Sequence, residues 1–151
     1  DKDEVNTVNV NSHIPSEYSY ENVVDKNYAI KIYKGLKEEV INLSVIEDFI
    51  KNYNDKKPSE IFLIEYLEKD NVKKVKNLMN LKFNGEEGTL IKYDVSNEKE
   101  FKEGTRKKFK KIVKSGDNTG VNIVLLEDEL QSPLEGESIF TYEEGASKEY
   151  K

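Results

Sequence analysis

The chain holds a single histidine, His13, and no cysteine. Acid–base work by a histidine needs an oriented partner in a dry site, and a metal needs several converging ligands. His13 sits among Asn9, Asn11, Ser12 and Ser16, a polar setting that predicts a solvent-exposed side chain. Without cysteine there is no disulfide framework, thiolate nucleophile or thiolate metal site. No serine lies in a G-x-S-x-G elbow, and no glycine-rich phosphate loop occurs. Gly116-Asp117-Asn118-Thr119-Gly120 has some of the spacing of such a loop but lacks the following lysine and helix, so it reads as a hairpin turn. These residues assign no catalytic, cofactor-binding or metal position, and no cofactor is expected.

Carboxylates are the remaining chemistry. They are densest at Glu127, Asp128 and Glu129, followed by Glu135, Glu137, Glu143 and Glu144. A carboxylate pair can hydrolyse a glycoside or hold calcium, but no EF-hand-type loop is present, and a charge run by itself signals a solvated segment. The opposite charge gathers in Lys102, Arg106, Lys107, Lys108, Lys110, Lys111 and Lys114, with Phe101 and Phe109 interleaved. Phosphate contact with base stacking would use those residue types. Three plainer roles use them equally well: pairing with the acidic C-terminal stretch, blunting a sheet edge, or resting on anionic lipid. Edge protection and acidic pairing come first among these, lipid second and nucleic acid last, since the formal net charge of −6 repels phosphates.

The elements that position these groups fit one domain of 151 residues. Hydrophobic and charged residues each make up 36%, a balance close to that of disordered chains; here, however, the apolar residues cluster in blocks such as Ile61-Phe62-Leu63-Ile64 and Ile123-Val124-Leu125-Leu126, as a core requires. No apolar run approaches the roughly 20 residues needed to span a bilayer. Residues 1–26 read as a polar N-terminal tether or edge segment, in which Val8 and Val10 alternate as a short strand would. Residues 27–130 read as an α+β core, and residues 131–151 as an acidic C-terminal segment whose block Ile139-Phe140-Thr141-Tyr142 can add an edge strand.

Within the core, residues 28–34 alternate Ile30 and Ile32 against Lys31 and predict a strand ending near Gly35. Ser44 with Glu47 forms a capping box, and Val45, Ile46, Phe49, Ile50 and Tyr53 share one face of a helix over Ser44–Tyr53. Ile61 to Leu67 suits a central buried strand, against which Phe49 and Ile50 are expected to pack. Val72 to Leu78 fits a helix or a returning strand. Leu78 to Phe83 and Leu90 to Val95 form a hairpin about Asn84-Gly85-Glu86-Glu87-Gly88. Residues 97–114 give two answers: Phe101, Thr105, Phe109, Ile112 and Val113 lie at helical spacing, interrupted by Gly104, while Phe109 to Lys114 can instead pair with Val121 to Leu126 through the glycine turn. The turn composition favours the hairpin. The whole predicts a single antiparallel sheet of about four to six strands with the helix on one face.

Four segments carry a resemblance: Phe49-Ile50-Lys51-Asn52, Ile61 to Tyr66, Leu81-Lys82-Phe83-Asn84-Gly85 and Ile91-Lys92-Tyr93-Asp94. With the hairpin from Phe109 to Leu125, they make residues 36–128 similar to a small family of Gram-positive bacterial lipoproteins without an assigned activity. Its members often carry a cysteine pair bracketing the second hairpin, where this chain has Phe109 and Asp128. The resemblance implies an exported domain held at the outer face of the membrane by a lipid anchor upstream of the given chain, and it transfers no functional residues; the expected location is that outer face or, for a secreted form, outside the cell. An opening on Asp1 and a polar spacer agree with a removed signal segment, or with a cytosolic protein given without its start. The expected function is a non-enzymatic binding module for a protein, peptide or cell-envelope component; the alternative is a small carboxylate-dependent hydrolase of the envelope.

Overall fold

The computed structural model describes residues 12–145 and 147–150. The alternating strand Val8–Val10 lies outside them. Eleven strands are present among the described residues: β1 (Ser12–His13), β2 (Tyr28–Lys34), β3 (Lys37–Ile41), β4 (Ser59–Lys69), β5 (Val72–Phe83), β6 (Gly88–Asp94), β7 (Phe101–Phe109), β8 (Lys111–Asp117), β9 (Gly120–Leu126), β10 (Glu137–Tyr142) and β11 (Ser147–Lys148). Two α-helices accompany them, α1 (Tyr20–Val23) and α2 (Ser44–Asn54), with short 3-10 turns at Pro15–Tyr18 and Pro133–Glu135. The strands form an eight-stranded sheet in the order β1-β7-β6-β5-β4-β2-β3-β11 and a three-stranded sheet in the order β10-β9-β8.

The mostly β architecture with one main helix agrees with expectation, but the single antiparallel sheet of four to six strands does not. There are two sheets, and the larger is mixed, because β2 runs parallel to β4 and β11 parallel to β3. The unexpected strands are polar ones. β3 begins Lys37-Glu38-Glu39, and β7 carries Lys102, Glu103, Arg106, Lys107 and Lys108 between two buried phenylalanines. Their place comes from backbone pairing to β2 and β6 rather than from an apolar face of their own. For the same reason residues 101–109 are a strand and not the helix that their spacing allowed, while β8 and β9 make the expected hairpin. Val72–Leu78 resolves as strand too: Asp70 and Asn71 both adopt positive φ (54° and 63°), the backbone of a tight hairpin turn, so β4 returns directly as β5.

The large sheet is buried on both faces, as the almost continuous burial of β2 requires. On one face Ala29, Ile61, Leu63, Leu81 and Leu90 meet α2 and the inner face of the small sheet. Phe49 is fully buried there, Ile50 partly, as their position opposite β4 predicted. Gly88 has a role in this packing, since a Cβ on it would lie 2.4 Å from the Phe109 ring. On the other face Tyr18, Val23 and Val24 cover Ile30, Ile32, Ile64 and Tyr66, and the Tyr66 hydroxyl donates to the Tyr18 carbonyl. Residues 14–26 are therefore a packed layer and not a tether, because their few large apolar groups suffice to close a sheet face.

The capping box expected at Ser44 does not form. Leu43 takes the N-cap position, and the Ser44 N–H (3.2 Å) and hydroxyl both donate to the Glu149 carboxylate. An acidic group there complements the positive end of the helix dipole. Residues 131–151 are likewise structured in large part: β10 joins β9 as foreseen, burying Ile139, Phe140 and Tyr142, and β11 closes the far edge of the large sheet.

Candidate binding cleft

Where β10 crosses the large sheet, the two sheets leave a cleft of about 350 Å³ lined by groups that include Glu65, Asn77, Met79, Lys92, Glu137 and Thr141. Strand periodicity places them. Ile61 and Leu63 point at α2, so Glu65 falls on the same face, and it stands opposite Asn77 in the β4–β5 register. Asn77 Nδ2 donates to Glu65 Oε1 at 2.9 Å, and the Tyr33 hydroxyl reaches the same oxygen at 3.5 Å. Glu65 is only 7% exposed, yet it makes no ion pair among the described residues.

Lys31, the β2 register partner of Glu65, is 1% exposed. Its Nζ donates to the Thr141 carbonyl (2.7 Å) and hydroxyl (3.1 Å), lies 3.4 Å from Glu38, and stands over the Tyr33 ring at 5.0 Å. Lys31 thus rivets β10 to the large sheet. It also occupies an outward carbonyl of that edge strand, whose register is broken by a bulge between Ser138 and Phe140. Both devices oppose strand addition at an edge. Recognition in this cleft falls to side chains.

Across the cleft Glu137 accepts Lys92 on one oxygen and Lys107 (3.2 Å) on the other. Burial opposes its ionisation, but the two lysine hydrogen bonds outweigh burial and hold the carboxyl below the ordinary range. Lys107 also bonds Glu127 at 2.9 Å, and bonds to Glu127 and Glu137 push its own pKa up.

Of the groups singled out in the sequence, the basic block is spread over β7, β8 and the turn between them. Lys107 pairs with the acidic stretch at Glu127 and Glu137, Lys108 with Glu87, Arg106 with Glu103, Lys102 with Glu100 and Lys114 with Glu47. Among the described residues β7 has the two-residue β1 beyond it, so its lysines stand on an edge that those residues leave largely uncovered. Asp128 and Glu135 bond the backbone N–H groups of Leu130 and Ser132, ordering local turns. No group of acidic or histidine side chains able to hold a metal occurs among the described residues, and none of their helices is long and apolar enough to cross a membrane.

His13 departs from expectation. It is half-buried, its Nδ1 lies 3.0 Å from the Tyr18 hydroxyl, and its ring meets Tyr93 edge-on at 5.1 Å. Burial, with Tyr93 and Glu17 adding to it, pushes the Tyr18 hydroxyl up to about 12, so it stays protonated beside the imidazole. The histidine docks β1. The glycine-spaced loop is the expected turn: Asp117 accepts from Thr119 N (2.7 Å) and Oγ (2.6 Å) and from Gly120 N (3.2 Å).

Glu65, Lys31, Asn77 and Lys92 were not singled out by sequence. Their signal was there in weak form. Glu65 and Lys31 are lone charges inside apolar strand blocks, and such a charge, if buried, must meet a partner from elsewhere in the fold. Compared with known proteins, the chain matches no family model, no curated protein and no solved structure.

Proposed function

We propose that this domain is a non-catalytic binding module and that the inter-sheet cleft is where its ligand, a side group of a peptide, protein or cell-envelope component, is held. The observation that carries this reading is the state of the two carboxylates of the cleft. A carboxylate-dependent hydrolase needs one acid and one free base or nucleophile. Both oxygens of Glu137 are already engaged by lysine ammonium groups, and its carboxyl is held ionised. Such a group orients a neighbour well and exchanges protons poorly. The cleft is also bounded on both sides by strands rather than by loops, which suits a preformed site.

The compartment in this proposal comes from the lipoprotein resemblance of residues 36–128: an exported domain, displayed at the membrane's outer face through an anchor upstream. The full gene sequence checks that part, with a lipidated cysteine after an apolar signal expected and a cytosolic precursor fatal to it. The binding part is checked by titrating the isotope-labelled protein with a pool of short peptides and with soluble cell-wall fragments. Amide shifts confined to Asn77, Lys92 and residues 138–141, with the ligand recovered intact by mass spectrometry, are expected. Shifts elsewhere alone, or cleavage of the ligand, overturn the reading.

A further inference from the structure

We infer that the cleft selects a cationic group, the ammonium or guanidinium of a lysine or arginine side chain on a peptide, and that Glu65 is the residue that accepts it. This rests on the cleft being the binding site. Glu65 brings a carboxylate into a place where it is 7% exposed, and a buried carboxylate is costly unless charge or several donors meet it. Its Oε1 has Asn77 and a long contact from Tyr33; its Oε2 has no hydrogen bond among the described residues, and Glu65 lines the cleft.

The cations nearby have other partners. Lys31 serves Thr141 and Glu38, Lys92 serves Glu137, and Lys76 stands over the Tyr33 ring at 4.3 Å. The lining itself contains two carboxylates, Glu65 and Glu137, against one cation, Lys92. Glu137 is met by Lys92 and Lys107, so the carboxylate without an ion pair among the described residues, and with an open acceptor, is Glu65. The Met79 side chain, on the same sheet face as Glu65, and the neighbouring residues Ser138 and Thr141 of β10 line a slot that matches an alkyl stem ending in an N–H donor.

The test uses the full chain, isotope-labelled, and two acetylated, amidated pentapeptides, Gly-Gly-X-Gly-Gly, with X either lysine or its uncharged isostere norleucine. Methylammonium chloride is the third probe and separates a free amine from a peptide-borne one. The readout is the side-chain amide of Asn77, which touches Glu65 directly, together with the Lys92 and Thr141 amides. The lysine peptide is expected to move these resonances with an affinity about tenfold above that of the norleucine peptide, and methylammonium to move them more weakly. Glu65→Gln is expected to abolish the difference between the two peptides. The comparison of the two peptides on the wild-type protein decides the matter even if that variant folds poorly. Equal binding of both peptides in the cleft overturns the cationic preference and leaves the binding module standing. No response to either, while the peptide pool does shift the cleft amides, overturns the inference alone; no response to anything removes both.

Discussion

Replacing Asn42 should loosen three parts of the molecule at once. Asn42 is fully buried and sits at the β3–α2 junction with φ of 62°. Its Nδ2 donates to the Val24 carbonyl (2.8 Å), its Oδ1 accepts the Tyr150 N–H (2.7 Å), and its own N–H donates to the Lys148 carbonyl (2.7 Å). It therefore ties the N-terminal layer, the helix entry and β11 together. In Asn42→Ala the Val24 carbonyl loses its partner in a buried place, about 1–3 kcal/mol. The left-handed backbone, tolerated by Asn, costs Ala about 1–2 kcal/mol. Tyr150 N–H can turn to water and adds little. The sum is about 3 kcal/mol, or a melting point lower by about 6–12 °C for a domain of this size. Asn42→Gly keeps the hydrogen-bond loss but relieves the backbone, and should be milder than Ala by about 1 kcal/mol. Asn42→Asp turns a carboxylate oxygen toward the Val24 carbonyl. Its folded pKa is then raised, so its penalty is present at neutral pH and eases as pH falls toward the unfolded value. Urea denaturation of the three variants, with the Asp variant repeated across acid pH, measures all of this. An Ala variant as stable as wild type, or Ala and Gly variants that coincide, would refute the account.

Phe49→Ala should cost about 3–5 kcal/mol, read as a lower urea midpoint, because Phe49 is fully enclosed between α2 and the large sheet. Glu137, with a depressed carboxyl pKa, contributes stability that is present above the ordinary value of 4.5 and lost as pH falls through its folded value; thermal melts of Glu137→Gln should show a shallower acid decline, by about 1 kcal/mol or less since the group is partly exposed. The lysines of the basic block are mostly spent on carboxylates, so sedimentation with phosphatidylglycerol-rich vesicles should show little binding at physiological salt, and reversing Lys108, Lys110 and Lys111 to glutamate should change it little.

Reading the sequence succeeded where burial imprints a period. The apolar stripe of α2, the run from Ile61 to Leu67 and the hairpins turning at Asn84–Gly88 and Ser115–Gly120 each answer to one face of one element. It fell short where position depends on the neighbour. β3 and β7 are held by ladders to β2 and β6, and a ladder leaves no mark on side-chain polarity. The Ser44–Glu47 motif had the right local chemistry, but Glu149 supplies the cap from the other end of the chain. The cleft was hidden for the same reason: Glu65 and Glu137 lie 72 positions apart in number (137 − 65), and the small sheet that brings them together was merged into the large one by expectation.

The two shortest strands have a consequence for how densely these molecules can be packed. Among the described residues β11 covers β3 at Val40 and Ile41, its apolar residues, and no described strand lies beyond Lys37, Glu38 and Glu39. β1, among the described residues, covers β7 at Phe101 and Lys102 and leaves the run of Glu103, Arg106, Lys107 and Lys108. Among the described residues, short caps sit on an apolar end of each bordering strand, and charge occupies most of the rest. Two copies meeting side by side would have to strip water from these charged borders before any backbone bond could form. Edge-to-edge pairing is thus opposed along the charged part of each described border.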